Sequence, residues 1–135
     1  MLAFVFTLIG HPVPAAALAV TEFPVPTRNS YPKGIITGPD GSVWFTEQGG
    51  NKIGRITTTG SVTEFLVPTP SSLPEAITAG PDGNLWFTEH NSNKIGRITT
   101  TGSVTEFPVP TPSSLPEAIT AVQMATYGSS SIAAT

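Results

Sequence analysis

Apolar side chains come in short runs along residues 35–109, broken at close intervals by Gly, Pro, Asn and Asp. The first run, Ile35–Gly38, ends at Pro39-Asp40-Gly41, where Pro presets φ and Gly accepts a positive φ. Val43–Glu47 follows, then an Asn/Gly turn, Lys52–Thr57, the turn Thr59-Gly60, and Ser61–Val67. The order recurs at Ile77–Gly80, Leu85–Glu89, Lys94–Thr99 and Ser103–Val109. Short runs with this punctuation predict strands in an all-β protein. A lone fourth-type strand is expected at Val20–Val25 and a lone first-type strand at Ala118–Ala121. Proline suits the fourth position, because an outer edge strand does not need every N–H. Alternation sends Leu85 and Phe87 to one face and Trp86 to the other. Apolar residues on both faces suit a sheet sandwiched between two others, which assigns Trp44, Phe45, Trp86 and Phe87 to the core between sheets.

The pattern is an internal repeat. VTEF stands at 20–23, 62–65 and 104–107, a spacing of 42 residues. GPDG (38–41, 80–83) and WFTE (44–47, 86–89) keep the same spacing, and 51–79 and 93–121 differ only at Leu66 versus Pro108. Four strands in a period of roughly 40–45 residues make a β-propeller blade. The expected fold is therefore all-β, a partial β-propeller with two complete four-stranded blades and flanking single strands, spanning residues 20–121. Closed propellers use about 4–8 blades. Two blades leave apolar faces that a repeat unit cannot bury alone, so homo-oligomers through open blade edges, three or four copies to a ring, are expected.

Composition narrows the chemistry. Charged residues make up 11% of the 135 and the net charge is −3. Arg28, Lys33, Lys52, Arg55, Lys94 and Arg97 are scattered, which argues against nucleic acid as a partner. The absence of cysteine removes disulfides, thiolate catalysis and Cys-ligated metals. Met1–Gly10 is apolar but too short for a membrane span, which needs about 20 residues. With Ala17-Leu18-Ala19 as an A-x-A cleavage site it reads as a signal peptide over 1–19, making the protein secreted or periplasmic, with Val20 as first mature residue.

Beyond Ala121 the repeat should continue as GPDGNLWFTEHNSN, but residues 122–135 read VQMATYGSSSIAAT. Deleting one nucleotide from a string that encodes the near-repeat GPDGNLWFKQHSSN yields this tail, so an out-of-frame translation of another blade is expected there.

Few residues have the chemistry of a site. Glu75 and Glu117 sit beside Pro at the expected channel rim and are the candidate substrate-binding residues. Glu89 and His90 are the candidate metal ligands. The plainer expectation for Glu47 and Glu89 is a carboxylate capping turn N–H groups or pairing with a nearby lysine. Asp40 and Asp82 are expected to cap their own turns. No phosphate-binding glycine loop or nucleophile elbow occurs.

WFTE, NKIGRIT (51–57, 93–99) and TEFPVPTP (105–112) together resemble the virginiamycin B lyase, or streptogramin lyase, family, over roughly residues 20–121. The resemblance implies a seven-bladed propeller that opens the lactone of a cyclic depsipeptide by Mg²⁺-dependent carbon–oxygen elimination. It implies a base histidine in a P-H-x-I segment, where this chain has Lys33, Glu75 and Glu117. It implies metal-binding glutamates at two further positions, occupied here by Tyr31, Leu73 and Leu115, and by Gln48 and His90. Two near-identical blades also present one set of groups twice, which suits repetitive binding better than asymmetric catalysis. This stretch is thus expected to be inactive by itself. The alternative is a non-catalytic exported propeller module that binds a carbohydrate or peptide ligand; a third reading is a decayed gene product.

Overall fold

The computed structural model describes residues 19–123 and 130–134. The expected signal peptide, apart from Ala19, lies outside the described residues. Two four-stranded antiparallel sheets carry the repeat. Blade 1 holds β1 (Pro32–Thr37), β2 (Val43–Glu47), β3 (Lys52–Ile56) and β4 (Val62–Leu66), paired in sequence order. Blade 2 holds β5 (Pro74–Ala79), β6 (Leu85–Glu89), β7 (Lys94–Ile98) and β8 (Val104–Pro108), in the same order and register. A third sheet pairs β9 (Ile119–Gln123) with β10 (Ser130–Ala134).

The turns form as the sequence dictates. Gly41 and Gly83 both adopt φ 75°, closing the PDG turns. Asp40 Oδ1 accepts from Ser42 N at 3.1 Å, and Asp82 Oδ1 from Asn84 N at 3.2 Å. The same aspartate oxygens also accept from the indoles of Trp44 (2.9 Å) and Trp86 (3.1 Å), fixing each ring over its own turn. The first strands start three residues earlier than the apolar runs suggest. Proline opens each, where its missing N–H costs nothing, and a bulge follows it.

Strand alternation gives every blade two unlike faces. Ile36, Trp44, Ile53 and Phe65 share one face of blade 1. Ile77, Leu85, Phe87 and Ile98 lie on the opposite type of face of blade 2. The two sets meet in the hydrophobic core, with Val67 from the connection. Trp44 stacks on Phe65 at 5.6 Å, and Arg55 caps the indole at 5.7 Å. Gly54 and Gly96 are required where they stand, since a Cβ at either would collide with the ring of Phe45 or Phe87. Trp44, Phe45 and Phe87 are buried as expected, whereas Trp86 is only half-buried because blade 2 turns it away from blade 1.

Two expectations need correction. Val20–Val25 is not a strand, because no third-type strand is there to pair with it among the described residues. Its segment still keeps the tertiary contacts of β4. Phe23 lies against Gly60 as Phe65 lies against Gly102, and Thr27 binds Glu64 as Thr69 binds Glu106. The second concerns Ala118–Ala121, expected as a lone strand: β9 pairs with β10, part of the tail whose sequence departs from the repeat. Ala133 and Ala134 take the register places opposite Thr120 and Ile119 that Trp86 and Phe87 hold opposite Thr78 and Ile77.

Candidate functional site

The rim of the sheets is built from backbone that few side chains tolerate. Tyr31, Leu73 and Leu115, each preceding a proline, hold φ of 46°, 53° and 48°. A left-handed leucine is uncommon and persists only where its surroundings over-determine it. Around Leu73 they do. His90 N donates to Leu73 O and Asn91 N to Ser72 O. From blade 1, Asn51 Oδ1 accepts from Ser72 N (2.9 Å) and Ser72 Oγ (2.8 Å). The rim loop is thereby clamped from both blades, and the residue after Pro74 is aimed from a rigid base.

That residue is Glu75. Its Oε2 lies 3.7 Å from Nδ1 of His90, and both side chains are about one-quarter exposed. Its backbone carbonyl accepts from Thr46 Oγ1 of blade 1 at 2.7 Å. Two of the expected site residues therefore meet: one from the substrate-binding pair, one from the metal pair. The separation is too long for a hydrogen bond, and His90 Nδ1 has no partner among the described residues, so the pair leaves a polar edge open to a ligand. In blade 1 the same two places hold exposed Lys33 and half-buried Gln48. Glu117 is exposed just before β9.

Glu89 lies elsewhere in character. It and Glu47 are fully buried, at 0% exposure. The expected lysine pairing is not made, because Lys52 and Lys94 turn instead to Glu64 (2.6 Å) and Glu106 (3.0 Å). Those outer carboxylates also take the N–H and hydroxyl of Thr27 and Thr69. The turn N–H groups do not cap the inner pair either. Among the described residues both oxygens of Glu47 are without a partner, and Glu89 accepts only from Ser92 Oγ at 2.7 Å. Burial, and then the charge of Glu64, pushes Glu47 up to about 7; burial likewise pushes Glu89 up to about 7, with Glu106 adding to it. Glu64 and Glu106 are held below the usual range despite partial burial, since the lysine and threonine hydrogen bonds together outweigh it. Sequence reasoning missed this network; the one signal was the repetition of Thr, Lys and Glu at matched places in both blades.

Among the described residues no group of three or more His, Asp or Glu side chains converges as metal ligands. Mg²⁺ demands a near-octahedral shell of oxygens. One carboxylate and one imidazole do not fit that demand, so no chemistry is routed through the ion.

The family model for the virginiamycin B lyase family matches residues 12–132. The chain belongs to the virginiamycin B lyase family. Virginiamycin B lyase of Bacillus licheniformis is 51% identical over 43 residues, which is 32% of this chain and 15% of that protein. The crystal structure of selenomethionine-substituted virginiamycin B lyase from Staphylococcus aureus superposes with TM-score 0.72 at 54% identity, covering 73% of this chain and 34% of that one. A catalytically inactive His-to-Ala variant of the S. aureus enzyme, with quinupristin, superposes with TM-score 0.69 at 52% identity, covering 70% and 32%. The chain thus spans about a third of the length of these lyases. As a partial propeller of this family it carries the blade architecture in full detail. No helix among its described residues is long and apolar enough to cross a membrane.

Proposed function

We propose that this chain is a ligand-binding sector of a lyase-type propeller, which holds a cyclic depsipeptide lactone at the channel rim through Glu75 and His90 and does not open it by itself. The observation that carries this reading is the Glu75–His90 pair, set on a rim clamped by both blades. Elimination next to a carbonyl needs a base of suitable pKa and a group that stabilises the developing oxyanion. His90 places an imidazole at the rim. Glu75, 3.7 Å away, has the wrong charge for the second. The rim can therefore bind polar edges of a lactone better than it can drive the ring open. Export to the periplasm or medium belongs to the same reading and rests on the apolar run before Ala17-Leu18-Ala19.

The test incubates the purified chain with quinupristin and Mg²⁺. Opening by elimination conserves mass, so the product is followed by chromatographic retention. Binding heat is expected without an opened product, and His90→Ala should weaken binding about tenfold, ~1.4 kcal/mol. An opened product overturns the non-catalytic part. Absent binding, with heat instead from a cell-wall glycan or peptide, overturns the lactone and favours the carbohydrate or peptide module.

A further inference from the structure

Blade 1 has an open apolar cleft of about 390 Å³, lined by Val25, Pro32, Gly34, Ile35, Phe45 and Ile56, with Lys33 at its edge. Moved on by one repeat, the apolar members become Val67, Pro74, Ile77, Phe87 and Ile98, which are the buried side of the blade 1–blade 2 interface. Ile77 is 8% exposed and Ile35 is 71% exposed in the same strand position. The cleft is thus a blade-docking face, and the interface beside it shows what covers such a face. Over Pro74 and Ile77 lie β1 and β2, the first and second strands of a blade.

Among the described residues one uncovered pair of that kind is present. β9 and β10 are a first and second strand, and β9 packs on β5 and β6 as β5 packs on β1 and β2. Thr120 and Val122 are exposed. Thr120 holds the place that Ile36 holds two repeats earlier, and Ile36 packs on the core between blades.

We propose that the blade 1 cleft is filled by the β9–β10 pair of a second copy of this chain, in a head-to-tail contact that repeats the blade 1–blade 2 interface. The contact is heterologous: among the described residues each copy leaves one cleft and one strand pair uncovered, so association continues until the arc closes. Segment 20–27 of the receiving copy already lies where the outer strand of the shared blade belongs, against Gly60 and Glu64.

Sedimentation velocity on the full 14.0 kDa chain tests this. Wild type should exceed monomer mass increasingly with concentration. Ile35→Asp and Thr120→Arg, both at exposed positions, should each sediment as monomers with an unchanged far-ultraviolet strand signal. Their equimolar mixture should form a dimer and nothing larger, since one good cleft and one good strand pair remain. Monomeric wild type at every concentration overturns the proposal, as it would if residues before 19 filled the cleft. Full association of Thr120→Arg alone also overturns it, pointing to two clefts packed face to face.

Discussion

Blade 1 and blade 2 share a register, a glycine beneath the Phe ring, an indole–aspartate bond and a Thr–Lys–Glu triad, yet their surroundings treat them differently. The Phe face of blade 2 is sealed by blade 1, while the matching face of blade 1 is an open cleft. The same residue type in the same local structure is therefore core in one place and surface in the other. Burial in a repeat protein belongs to the interface between units and not to the unit. The largest expected effect follows from that. Phe87→Ala should cost about 3–5 kcal/mol and Ile77→Ala about 2–4 kcal/mol. Ile35→Ala, at concentrations where the chain is monomeric, should stay within about 0.5 kcal/mol. Urea melts of the three variants check it. Equal losses at Ile35 and Ile77 would break the comparison.

The second test uses what the blades share. Glu47 and Glu89 sit at about 7 when folded, against about 4.5 for an ordinary glutamate. Between these values the folded chain binds more protons than the unfolded one, so stability falls as pH rises. The contribution is fully present below about 4.5 and gone above about 7. It amounts to about 3 kcal/mol at most for each buried carboxyl. Glu64, Glu106, Asp40 and Asp82, all held low, act with the opposite sign and lose their stabilisation as the solution becomes more acidic. The expected profile peaks in mildly acidic solution. Glu47→Gln and Glu89→Gln should each flatten its neutral side. A melting temperature that climbs from pH 5 to pH 8 would contradict the assignment.

The repeat makes most of the fold legible in the sequence alone. Eight strands fall where Gly, Pro and Asn punctuation places them, because turn chemistry is local and needs no tertiary context. Val20–Val25 was misjudged for the opposite reason: its sequence is that of β4, but a strand exists only when a neighbour accepts its hydrogen bonds. β10 shows the converse, since residues without the repeat pattern still pair with β9 once the first strand is laid down. At the site, spacing brought out Glu75 and His90 separately but not their meeting. That meeting depends on a left-handed Leu73 and on bonds from Asn51 in the other blade. The isolation of Glu47 was equally hidden, because Lys52 stands directly opposite it in register yet reaches across to Glu64.

One difference between the blades lies wholly inside them. Three residues after the buried glutamate, blade 2 has Ser92 and blade 1 has Gly50. Among the described residues Ser92 Oγ gives Glu89 its sole hydrogen bond, at 2.7 Å, while Glu47 has none. A Cβ on Gly50 would stand 3.1 Å from Glu47 Oε2 and 3.1 Å from the Thr27 methyl, close enough to require a shift of a few tenths of an ångström. Blade 2 shows that such a shift is accessible, because Ser92 occupies the same place in the same turn. Gly50 does not use a positive φ, so a side chain meets no backbone strain there. Gly50→Ser should therefore stabilise the chain by about 0.5–1.5 kcal/mol, the net worth of one hydrogen bond to a group otherwise buried without a partner. The gain should grow above pH 7, where the acceptor is charged and the bond is stronger. Ser92→Gly should lose a similar amount with the same pH trend. Urea melts at pH 5 and pH 8 read both variants, and a Gly50→Ser chain less stable than wild type at both pH values would show that the two turns are not interchangeable.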